Sequence, residues 1–322
     1  MSTLGMTGKA IARDLPEALR KYALLIALLA LWEVSGRLGW ADRQFLPSFT
    51  DTLNAVFEMW ERTHLFMHIM VSLTRVTVGL LAAVALGVPL AYLLGLVFPV
   101  LAARVEALLR VFALVNPYCV FPLFVVFFGS GETAKISVLA WVSLWPVFFG
   151  TLAGMRGVDP YLVRTAKSMT AGALASFWKV ILPAASPSIF NGVRIGVEMS
   201  FFILIAAEMT GATAGLGWIV HSAGALNQVP RIYGAGLCIV VLGVFLNRSL
   251  LYFRNGLFFW KAETDPISGA QLGGGRPIGR AAAAAACAAF VAVMAVGIFE
   301  IWRAEALLND PGEIPEYRVW TE

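Results

Sequence analysis

Long apolar stretches separated by short polar segments dominate the hydrophobic pattern of this chain. A helix needs about 20 mostly apolar residues to cross a bilayer, and seven stretches approach or exceed that length. Because backbone polar groups in lipid must be hydrogen-bonded within the segment, each stretch is predicted to be a helix. The predicted spans are Tyr22–Leu38, Val71–Leu96, Leu108–Phe128, Ile136–Met155, Gly192–Met209, Tyr233–Tyr252 and Ala281–Trp302.

Composition supports lipid as the solvent of most of the chain. Of its 322 residues 59% are hydrophobic and 14% are charged, whereas a soluble domain has about 25% charged residues. The three cysteines lie inside apolar stretches without a Cys-x-x-Cys or Cys/His pattern, so neither a disulfide framework nor a zinc site is indicated. The net charge of +4 is dispersed over the ends of the apolar runs, which argues against nucleic-acid binding.

Lys and Arg are distributed unequally between the two sets of loops. A cytosolic N-terminus places roughly twice as many of them on the cytosolic side as on the outer side, as the positive-inside rule requires. The first apolar run lacks a small-residue cleavage site and is predicted to be a retained helix. The predicted organisation is a cytosolic N-terminus (1–21), a transmembrane core (22–260), a linker (261–280) and an extra C-terminal helix with its tail (281–322).

Two shorter segments outside the spans also have a helical pattern. Asp51–Arg62 is amphipathic and is predicted to be a short helix on the outer surface. Gly211–Trp218 is glycine-rich and then mildly apolar, which indicates a loop and a short helix at the outer mouth of the bundle.

The longest cytosolic loop, Arg156–Phe190, has the signals of a rigid helix pair. Asp159 followed by Pro160 predicts a helix start, and that helix is expected to run to about Thr170. Gly172 allows a turn, and a second helix is expected over Leu174–Ile181, with a break at Leu182-Pro183. Such a pair suits a docking knob for a cytosolic partner, or it packs under the bundle without a partner.

Several polar and helix-breaking residues inside the spans are candidates for a solute path. Asn116, Pro117 and Pro122 interrupt the third span, either because its backbone lines a cavity or as a structural kink. Acidic residues within a membrane are expensive and often functional. Glu208 is therefore predicted to be a gate residue or a structural hydrogen-bonding group, and Glu198 a path-lining or pairing residue. No metal site is predicted.

The cytosolic loop resembles the "EAA" motif of ABC importer permeases, in which Glu-Ala-Ala is followed by a glycine and then by Ile-x-Leu-Pro. The matching positions here are Arg164-Thr165-Ala166, Thr170 and Val180-Ile181-Leu182-Pro183, with the family's spacing. Arg164 replaces the family's glutamate, and Thr170 replaces its glycine. The resemblance implies contacts with an ATPase by Arg164, Thr165, Ala166, Lys167, Met169, Thr170, Gly172, Leu182 and Pro183.

The resemblance extends over about Leu24–Trp260 and is closest to the nitrate/sulfonate/taurine-type branch. It includes Phe45–Ser48, Phe127–Ile136 (FFGSGETAKI) and Ala206–Gly217 (AAEMTGATAGLG). It implies an all-α polytopic helix bundle, a type I ABC importer permease core of six spans, to which the seventh C-terminal span is added. It also implies a bacterial inner-membrane location, a homodimer, a substrate-binding protein outside and a separate ATPase subunit.

The function expected from these observations is a transport subunit that is not an enzyme. The chain has no G-x-x-x-x-G-K-[ST] loop, so ATP and Mg²⁺ are expected on the partner ATPase and no cofactor on this chain. The transported solute is expected to be a sulfonate-, nitrate- or taurine-like anion or a similar small molecule. The alternative is an ion-coupled secondary transporter, which predicts paired broken helices and intramembrane coupling carboxylates.

Overall fold

The computed structural model describes residues 23–39, 42, 45–168, 172–258, 263–264, 271–272, 288 and 291–302. The helices in these ranges are α1 (residues 23–38), α2 (Phe49–Arg62), α3 (Leu65–Tyr92), α4 (Pro99–Ala113), α5 (Pro117–Phe128), α6 (Glu132–Arg156), α7 (Pro160–Ser168), α8 (Ala173–Ser176), α9 (Leu182–Met209), α10 (Leu216–Ala225), α11 (Val229–Leu257) and α12 (Val291–Trp302). Two π-helical turns, Leu93–Val97 and Phe177–Ile181, continue α3 and precede α9. Two-residue strands β1 (Glu263–Thr264) and β2 (Gln271–Leu272) pair antiparallel, with Glu263 opposite Leu272.

Four helices in the described part of the chain are long and apolar enough to cross a membrane. They are Leu65–Val97, Glu132–Arg156, Phe177–Met209 and Val229–Leu257, and α4 with α5 forms a further, sharply bent pair. The predicted all-α polytopic class is therefore confirmed, while the count of six or seven spans stays a prediction. Within the predicted seventh span, residues 281–287 and 289–290 lie outside the described residues, and α12 is the apolar helix at its end.

The chain divides into two compact units, and the first comprises Met1–His64 with Val220–Cys238. Within it, the indole Nε1 of Trp32 donates to the Pro47 carbonyl oxygen at 3.0 Å. The hydroxyl of Ser48 caps α2 by accepting the Asp51 backbone N–H at 3.1 Å, which satisfies a donor that the first turn leaves without a helical partner. The predicted amphipathic helix is thus confirmed, two residues longer at its start.

The second unit, Leu65–Ile219 with Ile239–Glu322, has α3, α6 and α9 at its centre. α6 and α9 approach closely because small residues face each other. A Cβ at Gly192 would lie 2.5 Å from the carbonyl oxygen of Pro146, so only glycine fits there. The hydroxyl groups of Ser143 and Ser200 are 2.5 Å apart across the same contact. The two helices are therefore closely packed, and a larger side chain at this contact would force them apart.

The predicted helix break at Leu182-Pro183 is wrong. Phe177–Ile181 forms a π-helical turn, and α9 then begins at Leu182 and continues without interruption to Met209. Pro183 is the second residue of α9 and directly follows the π turn. The proline therefore stands at a junction between two helical geometries, and the predicted second helix over Leu174–Ile181 is instead α8 followed by this turn.

The third predicted span is interrupted more strongly than a kink would be. α4 and α5 meet at an angle of 91°. Asn116 caps α5 by accepting the Tyr118 backbone N–H on its Oδ1 at 3.0 Å, and Pro117 is the first residue of that helix. Pro122 lies inside α5 and does not end it. The sharp turn is thus fixed by a cap and a first-turn proline, as at an ordinary helix start.

Candidate functional site

A buried ionic cluster joins α3, α6 and α9. The Arg75 guanidinium binds both carboxylate oxygens of Glu132, with Nε–Oε2 and Nη2–Oε1 distances of 2.7 and 2.8 Å. Its Nη1 lies 2.6 Å from Glu208 Oε1 and also donates to the Ala214 carbonyl oxygen at 2.6 Å. Lys135 Nζ completes the set at 2.9 Å from Glu132 Oε1. We call these four charged residues, Arg75, Glu132, Lys135 and Glu208, the Arg75 cluster.

The Arg75 cluster is electrically balanced and almost free of solvent contact. The side chains of Arg75 and Glu208 are 1% and 0% exposed, and two cations face two carboxylates. Buried charges are tolerated when they are paired and their remaining hydrogen-bonding capacity is filled. The bidentate contact with Glu132 also fixes the orientation of the guanidinium plane. The cluster therefore clamps three helices in one arrangement.

The loop between α9 and α10 is tied to the same cluster. Glu208 Oε2 accepts the Gly217 backbone N–H at 2.8 Å, and Ser72 donates its hydroxyl to Glu208 and accepts the Leu216 N–H at 3.0 Å. Gly215 adopts φ +126°, and a Cβ there would lie 2.5 Å from the Glu208 carboxylate. Its N–H donates to Nδ1 of His68 at 3.0 Å. The loop thus requires glycine at position 215 and is held to the cluster by these hydrogen bonds.

Glu208 makes hydrogen bonds through both carboxylate oxygens, and its part in a gate stays a prediction. Glu132 and Lys135, three residues apart on α6, also form an ion pair at 2.9 Å. Arg75, at the centre of this cluster, is a residue that sequence reasoning missed. The available signal was its position within the predicted span Val71–Leu96, since an intramembrane arginine requires a partner.

The predicted ATPase-coupling segment begins as expected. Asp159 Oδ1 accepts the Tyr161 backbone N–H at 2.8 Å, and α7 follows from Pro160. Arg164 and Thr165 are exposed, whereas Ala166 is 8% exposed and faces the protein. Met169, Thr170 and the side chain of Lys167 lie outside the described residues. Gly172 is exposed and follows the residues that the structure does not describe.

The segment after α7 is fixed to the bundle by large apolar side chains. Phe177 and Ile181 of the π turn are buried in a cluster with Phe148 and Leu152 of α6. The rings of Phe177 and Tyr92 lie 4.2 Å apart, centroid to centroid. Leu182 packs against this cluster, and Pro183 is exposed beside it. The segment is therefore packed against α3 and α6 through these side chains.

An apolar groove of about 820 Å³ lies between the α4–α5 bend, α6 and α9. Two of the predicted path residues, Asn116 and Pro117, line it, whereas Pro122, Glu198 and Glu208 do not. Glu198 instead pairs with Arg194 at 3.2 Å, and Arg194 also donates to Asn247 Oδ1 at 2.9 Å. The structure thus places Asn116 and Pro117 at the groove, Glu198 in an ion pair, Glu208 in the Arg75 cluster and Pro122 inside α5. No group of three metal-ligating side chains occurs among the described residues.

Comparison with known proteins identifies the family of this chain. A family model described as "Binding-protein-dependent transport system inner membrane component" matches residues 23–259. This chain belongs to that family. The permease is therefore a multi-pass membrane subunit of an ABC importer, and such permeases work with an ATPase subunit and a substrate-binding protein. The family consists of transport subunits and not of enzymes.

Individual relatives cover most of this permease. It is 32% identical over 246 residues to the taurine transport system permease protein of Escherichia coli (strain K12), covering 75% of this chain and 89% of the relative. It is 30% identical over 239 residues to a Bacillus subtilis (strain 168) permease named for aliphatic sulfonates transport, covering 71% and 85%. The nitrate import permease protein of Leptolyngbya laminosa is 28% identical over 247 residues, covering 75% and 87%.

Proposed function

We propose that this permease forms the membrane path for a small anionic solute and receives the force of ATP hydrolysis through α7. The observation that carries the proposal is the combination of an exposed α7 surface with a buried anchor. Tyr161 and Leu162 are 73% and 47% exposed, and Arg164 is exposed beside them. The π turn that follows is buried in the core of the same unit. A helix held in this way acts as a lever when a partner pushes on it.

The charge of this segment favours an acidic contact surface on the ATPase. No Asp or Glu occurs from position 160 to 197, whereas Arg164, Lys167 and Lys179 do. In the motif that the segment resembles, glutamate stands at the position of Arg164. A carboxylate on the partner would attract this arginine and steer the two subunits together. The proposed coupling segment also includes Thr165, Ala166, Lys167, Met169, Thr170, Gly172, Leu182 and Pro183.

The remaining parts of the proposal concern the assembly. The N-terminus lies in the cytosol, two copies of the permease form the pair that encloses the path, and a binding protein delivers the solute from outside. The proposed organisation has a cytosolic terminus at residues 1–21, the core at 22–260, a linker at 261–280 and the additional helix with its tail at 281–322. ATP and Mg²⁺ bind to the ATPase. The names of the relatives, which refer to taurine, aliphatic sulfonates and nitrate, support a small anion as the solute.

The path itself is proposed to include the groove at Asn116 and Pro117, with Pro122 shaping α5 beside it. Glu198 and Glu208 are proposed to act indirectly, since each is engaged by an arginine. Their part would be to hold α9 in register while the two copies rock between inward-open and outward-open states.

Co-purification of the tagged permease with the ATPase tests the docking surface. Replacing 164–170 by a Gly/Ser segment should abolish recovery of the ATPase, and Arg164→Glu should reduce it about tenfold or more because attraction becomes repulsion. Arg62→Glu is the matched control. Arg62 is 72% exposed on α2, on the predicted outer side, and this variant should keep the ATPase.

The outcomes separate the alternatives. If both Arg164→Glu and Arg62→Glu fail to recover the ATPase, the loss of binding is not caused by a change in the docking surface. A stable permease that never recovers an ATPase would reject ATP-driven import and favour an ion-coupled transporter.

A further inference from the structure

A close contact joins the C-terminal helix α12 to α3. Gly297 is buried, and a Cβ at its position would lie 1.7 Å from Thr74 Oγ1 and 2.9 Å from the Met70 carbonyl oxygen. Small residues allow helix backbones in a membrane to approach this closely. The Thr74 hydroxyl donates back to the same Met70 oxygen at 2.9 Å, so the surface that faces Gly297 has its hydroxyl donor satisfied within α3. The contact is therefore a packed helix–helix interface.

The rest of α12 has the character of a helix at the edge of a bundle in lipid. Val291, Ile298, Phe299 and Trp302 are apolar and exposed, whereas Gly297 faces α3. The apolar run 281–302 contains one charged residue and lies between Arg280 and Arg303. A helix over that whole run would be about 33 Å long, which is enough to cross a hydrocarbon core of about 30 Å.

The level of Gly297 along the bundle is fixed through Ser72. Met70 and Thr74, which Gly297 contacts, stand two residues before and two residues after Ser72 on α3. The short side chain of Ser72 donates its hydroxyl to Glu208 at 2.8 Å. Because Glu208 is in the last turn of α9, Gly297 lies at the end of the bundle where α9 finishes.

The helix that precedes this extension, α11, finishes at the opposite end of the bundle. Asn247 Oδ1 accepts from Arg194 Nε at 2.9 Å, and further along the chain the ring of Phe258 lies 5.7 Å from that of Phe190, centroid to centroid. The partners of α11 on α9 thus move toward the start of α9. About 27 Å of helix separates Phe190 from the last turn of α9. The chain between the end of α11 and the α3 contact of α12 therefore crosses the length of the bundle.

We propose that residues 281–302 are a seventh membrane span, which packs against the Met70 and Thr74 surface of α3 and carries the tail 303–322 to the side of the membrane opposite α7. The end of α6, from which α7 follows, lies at the start of α9, since Gly154 approaches Ala185. The family model ends at residue 259, so this span is an addition to the core of the permease. The inference rests on the proposed function only in naming the α7 side the cytosol, which places the tail outside.

Labelling of single cysteines in spheroplasts with a membrane-impermeant maleimide tests the crossing. The three native cysteines of the full-length chain are first replaced by serine, and Thr321→Cys then reports the position of the tail. Ser130→Cys is the reference for the Arg75 cluster end, because Ser130 is exposed two residues before Glu132. Arg156→Cys is the reference for the α7 end, because Arg156 is exposed and ends α6. We expect Thr321→Cys and Ser130→Cys to react at once, and Arg156→Cys to react only after the membrane is permeabilised.

Unfolding in mixed micelles of increasing SDS fraction tests the contact with α3. Gly297→Leu should lower the SDS fraction at which the permease unfolds, because the Cβ alone would overlap the Thr74 side chain. Ala295→Leu adds the same side chain at an exposed position of α12, so this matched control should unfold like the parent. Removal of residues 281–322 should destabilise the permease at least as much as Gly297→Leu.

Two results would overturn the proposal. If Thr321→Cys is protected in the same way as Arg156→Cys, the chain returns to the α7 side and residues 281–302 do not cross. If Gly297→Leu unfolds at the same SDS fraction as Ala295→Leu, the contact with α3 does not hold the helix. A third pattern, in which Arg156→Cys reacts at once while Thr321→Cys and Ser130→Cys are both protected, supports the span and rejects the proposed function, because α7 would then lie outside the cytosol.

Discussion

Replacing Arg75 by methionine tests whether the Arg75 cluster holds α3, α6 and α9 together. Methionine fills a similar volume and removes the charge. Glu132 then keeps Lys135, but Glu208, whose side chain is 0% exposed, keeps only the Ser72 hydroxyl and the Gly217 N–H. Leaving one buried charge without its counter-ion costs about 3–5 kcal/mol. We therefore expect the free energy of unfolding to fall by about that amount.

A second variant tests whether the loss of stability comes from an unpaired charge or from a lost hydrogen bond. Glu208→Gln leaves Arg75 bound to both oxygens of Glu132, so its cost should be smaller, about 1–3 kcal/mol. The double variant Arg75→Met/Glu208→Gln has no unpaired charge at Glu208. It should be more stable than Arg75→Met alone, although it lacks one more charged group.

Reversible unfolding in mixed micelles of increasing SDS fraction is a suitable assay. Arg62→Met is the control, because Arg62 is exposed and lies 3.8 Å from Glu58, a surface pair that contributes little. If Arg75→Met unfolds at the same SDS fraction as Arg62→Met, the cluster does not stabilise the bundle and the reasoning is refuted. A double variant no more stable than Arg75→Met would show that charge balance is not the cause.

Three further substitutions test local geometry by the same unfolding assay. Gly215→Ala places a Cβ on the Glu208 carboxylate at φ +126° and should lower the free energy of unfolding by more than about 2 kcal/mol. Gly243→Ala is the control, because the space around Gly243 is open, and it should not destabilise the protein. Equal effects of the two substitutions would contradict this reasoning. Gly192→Ala should force α6 from α9 at a cost of about 1–3 kcal/mol, and unchanged stability would show that the contact is loose. Pro183→Ala should change the free energy of unfolding by no more than about 1 kcal/mol. A large loss of stability would indicate that proline is required at this position, as the predicted helix break assumes.

Local signals in the sequence predicted much of the helical structure. Hydropathy located the long helices because the length and apolar content of a span are set by the bilayer and not by its neighbours. Asp159-Pro160 predicted the start of α7, since a cap and a first-turn proline act within one turn. The bend at Asn116 was predicted as an interruption, but its angle of 91° depends on packing with distant residues.

Tertiary contacts explain what the sequence did not predict. The stretches Phe127–Ile136 and Ala206–Gly217 were recognised separately, and only the fold shows that both supply carboxylates to one arginine, Arg75. Pro183 was misjudged because a π turn has no simple sequence signature.

The π turn at Phe177–Ile181 has a consequence for how this lineage can tolerate changes in length. Such a turn is one residue inserted into an α-helix, and each added residue rotates everything beyond it by about 100°. Deleting Lys179, an exposed residue within the turn, should therefore convert it to a regular helix without rotating the faces on either side. The same deletion within α9 would turn Gly192 away from Pro146. The π turn is therefore a place where one residue can be lost while the contact of α9 with α6 is kept.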